Sequence, residues 1–131
     1  MKLEDQVCSL ELARKLMELR AKQKSLFYWY YAMHDGVNSS WSIMYSTYAL
    51  QADRYSAFTV AELGELLPDF IQPNKDEDQF NCIMMSKLIC KNKTIYSVYS
   101  VVDDLSFECI NEANARAMML IYLLENKIIC I

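Results

Sequence analysis

Apolar and polar residues repeat with two different periods along the chain, and the order of these periods predicts helices and hairpins. Apolar positions three or four residues apart predict helices over residues 9–23, 60–67 and 112–125. Alternating, aromatic or β-branched runs predict strands over residues 26–31, 41–48, 80–90, 94–102 and 105–109. The pattern therefore predicts an α+β fold, a two-layer sandwich with three helices on one antiparallel sheet of about 4–5 strands, in the order α-β-β-α-β-β-(β)-α.

Polar side chains mark where the predicted helices begin and end. Thr59 and Glu62 have capping-box spacing, in which the hydroxyl and the carboxylate satisfy each other's backbone amides. Ser9 and Asn111 are the predicted N-cap residues of the first and last helices. Pro68 ends the middle helix, because a proline disfavours helical geometry in the residue before it.

Length and composition predict one folded domain spanning residues 1–131. The chain contains two glycines and two prolines, and no Pro/Gly-rich linker divides it. An apolar fraction of 53% with 23% charged residues argues against intrinsic disorder. A net charge of −4 argues against a nucleic-acid-binding module, since such proteins usually carry a basic stripe that neutralises phosphates.

Cysteine usage and hydropathy predict a cytoplasmic location and no membrane contact. The five cysteines are odd in number and form no C-x-x-C pair, as expected for free thiols in a reducing compartment. No uninterrupted apolar run approaches the roughly 20 residues that a membrane-spanning helix needs. The N-terminus also lacks the apolar stretch of a secretory signal.

No motif for catalysis, metal binding or cofactor binding is evident. Nucleotide-binding loops need several closely spaced glycines, and zinc sites need three or four ligands, usually in close pairs. His34 is the single histidine, and the closest cysteines, Cys82 and Cys90, are eight residues apart. His34 with a thiol could form a nucleophilic pair; the alternative is a solvated turn histidine and thiols in the core. We therefore predict no catalytic residue, no metal ion and no cofactor.

The last predicted helix is apolar on all sides. Its core stripe is complete without Ala115, Met118, Met119 and Tyr122, which lie opposite that stripe at 100° of rotation per residue. An all-round apolar helix is either deeply buried or covered by a partner, and Met and Tyr are enriched at interfaces. Two hypotheses follow: a homodimer or heteromer surface, or coverage by the C-terminal tail or another element of the same chain.

The aromatic first strand supplies a second candidate surface. Strand alternation puts Phe27, Trp29 and Tyr31 on one face and Tyr28 and Tyr30 on the other. We expect one set to pack under the helices. The other set lies on the open sheet face, where it makes either ordinary cross-strand contacts or a binding surface.

Two segments carry a family resemblance: residues 57–68, AFTVAELGELLP, and residues 113–126, ANARAMMLIYLLEN. With similar features at residues 10–16 and 27–29, they resemble small uncharacterised proteins encoded by phages and prophages of gut Bacteroidales. The resemblance covers about a third of the chain. It implies a mobile-element accessory protein in the cytoplasm of a bacterial host. The family has no established activity, so it assigns no functional residue.

Three functional hypotheses follow. The leading one is a non-enzymatic phage or prophage accessory protein that binds another protein, for instance to inhibit a host defence system, or that self-associates as a homodimer. The second is a small enzyme of unfamiliar type with a pocket on the sheet face, and the third is a nucleic-acid-binding module. The predicted partner-binding residues are Ala115, Met118, Met119, Tyr122, Tyr28 and Tyr30.

Overall fold

The protein is α+β in a computed structural model. The structure describes residues 2–32, 40–46, 54–71, 81–90, 93–100 and 105–131. Its helices are a short 3-10 helix (Leu3–Asp5), α1 (Leu10–Glu18), α2 (Val60–Leu66) and α3 (Glu112–Glu125). Its strands are β1 (Phe27–Ala32), β2 (Ser40–Tyr45), β3 (Arg54–Ser56), β4 (Phe70–Ile71), β5 (Asn81–Cys90), β6 (Lys93–Ser100) and β7 (Ser106–Cys109). The predicted α+β class with three α-helices is confirmed.

The strands form two antiparallel sheets, whereas the alternation pattern predicted one. The first sheet has the order β2-β1-β3 and the second has the order β4-β5-β6-β7. In the first, Phe27 lies opposite Tyr45 and Ala32 lies opposite Ser40. The single-sheet prediction is wrong because alternation identifies a strand but does not say which strand it pairs with.

Helix α3 packs against α1 and α2 on one side and against β6 and β7 on the other. It therefore contributes to two hydrophobic clusters. The first core contains Cys8, Ala13, Leu16, Ala21, Phe58, Leu63, Ala113, Ala117, Leu120 and Ile121. The second core contains Val98, Ala115, Met119 and Leu123. Helix α3 is apolar all round because both of its sides are buried. Each large apolar side chain that is fully buried there stabilises the fold by about 1.5–3 kcal/mol.

Helix α1 is shorter than its sequence pattern predicts. The Ser9 hydroxyl caps its first turn by accepting a hydrogen bond from the Leu12 amide at 3.4 Å. The helix ends at Glu18, and Arg20 adopts a left-handed conformation with φ of 65°. The Ala21 amide then donates to the Leu16 carbonyl at 2.9 Å, which closes the terminal turn.

The predicted capping box of α2 is confirmed, and it has a further use. The Glu62 amide donates to the Thr59 hydroxyl at 3.3 Å, and the Thr59 amide donates to the Glu62 carboxylate at 2.8 Å. The same carboxylate also accepts from the Ser25 hydroxyl at 3.0 Å and from the Leu26 amide at 2.8 Å. Glu62 therefore fixes the start of β1 against the start of α2.

None of the described helices is long and apolar enough to cross a membrane.

Candidate functional site

Helices α1 and α3 lie side by side and are joined near both ends. At one end, the Ser9 amide donates to the Asn114 side-chain oxygen at 2.7 Å. At the other end, the Lys15 ammonium lies 2.9 Å from the Glu125 carboxylate. Because these contacts follow the same order along both helices, α1 and α3 run in roughly the same direction.

The space between α1, α3 and β7 is an open groove with a volume of about 830 Å³. Its apolar lining comes mainly from α3 and β7. Ile121 is buried, whereas Met118, Tyr122 and Phe107 are partly exposed. The Phe107 and Tyr122 rings lie 6.0 Å apart between their centroids, so β7 and α3 present one continuous aromatic surface.

Helical spacing explains the contrasting composition of the two walls. Residues one turn apart on a helix share a face, so each wall is a stripe of residues spaced by three or four. The α3 wall consists of Met118, Ile121, Tyr122 and Glu125. The charged part of the α1 wall consists of Glu11, Arg14, Lys15 and Glu18. A mostly apolar wall therefore faces a mostly charged one.

Lys15 is the cation that links the two walls. Its hydrogen bond to Glu125, together with the charge of that carboxylate, raises the pKa of the Lys15 ammonium, and the nearby Glu18 carboxylate raises it further. Both partners are a little under half exposed, with side-chain exposures of 45% and 43%. Exposed ion pairs of this kind are weak, so a ligand entering the groove can displace this one.

Arg14 is held by aromatic rings of the first sheet. Its guanidinium carbon lies 4.9 Å from the centre of the Trp41 ring and 5.4 Å from that of Tyr55, within cation–π distance.

Two groove carboxylates, those of Glu11 and Glu18, have no ion-pair partner within the part of the chain that the structure describes. The α1 rim therefore carries two carboxylates that form no direct ion pair, beside the cations of Arg14 and Lys15.

The predicted surface on α3 is divided between the groove and the core. Met118 and Tyr122 line the groove. Ala115 and Met119 are 0% exposed and belong to the second core, beneath β6. Their assignment as partner-binding residues is corrected: the second sheet covers that side of α3, as the within-chain alternative required.

The two β1 tyrosines predicted to bind a partner, Tyr28 and Tyr30, lie outside the groove. Tyr28 is 7% exposed, and its hydroxyl donates to the Gln23 carbonyl at 3.2 Å and accepts from the Ser25 amide at 3.3 Å. Burial makes Tyr28 a structural residue, so its assignment as a partner-binding residue is also corrected. Tyr30 is partly exposed, and its role stays a prediction.

The opposite face of β1 packs toward the helices. The Trp29 indole donates to the Cys8 carbonyl at 3.0 Å, and Trp29 contacts the first core.

Burial raises the pKa of the Cys8 thiol from 9.0 to about 12, so this thiol stays protonated at neutral pH and is a poor nucleophile. His34, the other half of the nucleophilic pair considered above, lies outside the described residues.

The structure contains no group of three or more Cys, His, Asp or Glu residues arranged for a metal ion, as far as the described residues go. Cys8, Cys82, Cys109 and Cys130 are free thiols.

Sequence reasoning missed several groove residues, namely Phe107, Ile121, Lys15 and Glu125. The signal for the charged wall was present, since α1 carries charges at residues 11, 14, 15 and 18. That stripe resembles an ordinary solvated face until the neighbouring helix is known.

The chain matches no protein-family model, and no curated protein and no solved structure shows significant similarity to it. Function is therefore inferred from the geometry and charge of the groove.

Proposed function

We propose that this protein is a non-enzymatic binding domain, and that the groove between α1 and α3 holds a basic amphipathic helix of a partner protein. One observation carries the proposal: an apolar lining lies beside a rim whose Glu11 and Glu18 carboxylates have no ion-pair partner among the described residues. A basic amphipathic helix complements both features. Its apolar stripe faces α3, and its lysines or arginines face α1.

The residues of the apolar wall suit such a ligand. Met118 has a flexible thioether side chain that adapts to differently shaped apolar groups. Tyr122 offers a large, partly exposed ring, the kind of residue that often dominates binding energy. The α3 wall runs from Met118 to Glu125 and is about 12 Å long, which is long enough for about two turns of a partner helix.

The biological setting that we propose is that of a phage or prophage accessory protein that binds a host protein. Inhibition of a host defence system is one concrete form. This setting rests on the sequence resemblance, whereas the groove proposal rests on geometry and charge, so either proposal can fail without the other.

A synthetic peptide tests the groove. The probe is a fluorescently labelled helical peptide with leucines at positions i, i+4 and i+7 and lysines on both flanks, with binding followed by fluorescence anisotropy. We expect Glu18→Lys to weaken binding about tenfold or more, because it replaces an attractive rim charge with a repulsive one. Binding should also weaken as salt rises.

A matched control separates the groove from net charge. Glu65 is exposed on α2 and does not line the groove, so Glu65→Lys makes the same change in net charge elsewhere. Its affinity for the peptide should stay close to that of the unmodified protein. Equal weakening by Glu18→Lys and Glu65→Lys, or no binding of the peptide to the unmodified protein, would contradict the proposal.

A further inference from the structure

The outer edge of β5 is open along most of its length. This strand pairs with β6 from Ile83 opposite Ser100 to Cys90 opposite Lys93. On its other side, β4 pairs only with the first two residues of β5. Within the described ranges, no strand therefore pairs with the β5 edge beyond Ile83.

Two hydrogen bonds reveal which backbone groups point to this edge. The Ile83 amide donates to the Asp69 carbonyl at 3.2 Å, away from β6. Opposite it, the Ser100 amide donates to the Leu105 carbonyl at 2.9 Å, away from β5. Backbone direction alternates along an antiparallel strand, so the amides and carbonyls of Met85, Lys87 and Ile89 point outward.

The side chains at this edge are unusually apolar. Leu88 is 56% exposed and Ile89 is 70% exposed. Open strand edges are usually protected by charges, prolines or bulges, because unpaired backbone groups invite another strand. The single charge among Met85 to Ile89 is Lys87, and its ammonium lies 5.5 Å from the centre of the Tyr96 ring. The edge is therefore poorly protected.

We propose that β5 pairs antiparallel with β5 of a second copy of this chain. The two-fold axis passes between the two Leu88 residues, so that two four-stranded sheets become one continuous sheet. In this register Lys87 lies opposite Ile89 of the second copy, and the outward amides and carbonyls of both residues become paired. The proposal concerns a surface separate from the α1–α3 groove.

Charge repulsion and the number of free backbone groups favour this register over registers with the two-fold axis at a neighbouring residue. An axis at Lys87 would put two ammonium groups directly opposite each other, which is destabilising. An axis at Ser86 would put Ile89 of the second copy opposite Ile83, where Asp69 already accepts the amide hydrogen bond. An axis at Ile89 leaves only residues 88–90 of β5 paired.

Salt has opposite effects on this edge and on the groove. With the axis at Leu88, the two Lys87 residues are diagonal neighbours, about 7–8 Å apart, and they repel each other weakly. Screening that repulsion should tighten the dimer as salt rises. Binding of a basic peptide in the groove should weaken under the same conditions, so the two proposals fail or succeed independently.

Sedimentation velocity over a range of protein concentrations tests the dimer. Leu88→Lys should weaken self-association about tenfold or more, because it puts two lysines opposite each other across the axis. Met84→Lys is the control, since Met84 is 47% exposed, lies on the same face of β5 and falls outside the paired segment. It should leave self-association unchanged. Lys87→Gln should strengthen self-association.

Ile89→Pro provides a second test if Leu88→Lys does not fold. Proline removes the outward amide without removing a hydrogen bond to β6, a position at which edge strands tolerate it. Dimer dissociation with unchanged circular dichroism is the expected result. A protein that stays monomeric up to its solubility limit would overturn the proposal, as would equal loss of self-association in Met84→Lys and Leu88→Lys.

Discussion

The two sheets of this protein are held in place by different kinds of contact. Around the first sheet, polar groups join distant elements: Glu62 joins α2 to the start of β1, and the Trp29 indole reaches the carbonyl of Cys8. The second sheet is held mainly by the apolar side of α3, whose Met119 and Leu123 pack with Val98 of β6. The first region therefore combines apolar burial with directional polar contacts between elements, whereas the second relies mainly on apolar burial.

The difference is informative about local stability. Among the residues that the structure describes, four buried residues form the second core, compared with ten in the first. Regions with fewer buried apolar contacts open at lower free energy than the rest of a fold. We therefore expect the second sheet to open before the first, and this sheet also carries the open β5 edge.

Truncating the same residue type in each core should give the largest effects. Leu120 in the first core and Leu123 in the second are both 0% exposed and both lie on α3. We expect either change to alanine to lower the free energy of unfolding by about 2–5 kcal/mol, with Leu120→Ala the more costly. Chemical denaturation measures the total effect.

Hydrogen exchange locates that effect. In Leu123→Ala, the amides of β5, β6 and β7 should exchange faster while those of β1 keep their protection. In Leu120→Ala, exchange should accelerate in both sheets. If amide exchange in Leu123→Ala accelerates equally in both sheets, the two regions open together and do not differ in local stability.

Removing one charge from the polar network should have a smaller effect. Glu62→Gln keeps the shape of the side chain but weakens the hydrogen bonds to Ser25, Leu26 and Thr59, which are stronger with a charged acceptor. We expect a loss of about 2 kcal/mol in the free energy of unfolding. Glu65→Gln, on the exposed part of α2, should change it by less than about 0.5 kcal/mol. Similar values for both variants would refute a special role for Glu62.

The smallest expected effect on the free energy of unfolding comes from the buried Cys8 thiol of the first core, and it appears at alkaline pH. The unfolded Cys8 thiol ionises above pH 9.0, whereas the folded thiol stays protonated up to about pH 12. The thiol's contribution to stability is thus complete below pH 9 and declines as pH rises toward 12. Between pH 8 and pH 10, the unmodified protein should lose about 1.4 kcal/mol more than Cys8→Ala does. Parallel pH profiles would contradict this burial effect.

Local features of the fold could be predicted from the sequence. The Thr59–Glu62 box and the Asn111 cap depend on residues three apart, and both form as expected. The division into two sheets could not be predicted, because pairing depends on residues far apart in the chain. β3 has three residues and β4 has two, too short for an alternating pattern to identify.

The candidate site was only partly predictable for a related reason. Helical spacing identified Met118 and Tyr122 as apolar residues beyond the first core stripe. It assigned Ala115 and Met119 to the same surface, because the helix sequence does not reveal that β6 covers these two residues. The contribution of Phe107 required knowing that β7 lies beside α3.

The position of α3 in the chain has a consequence for biosynthesis. Both sheets precede this helix, yet it supplies buried residues to both cores. A nascent chain that has emerged only as far as residue 110 therefore has two incomplete apolar faces and can finish neither of them. Productive folding has to wait for translation of the last helix, and until then the ribosome-bound intermediate is a natural client for chaperones.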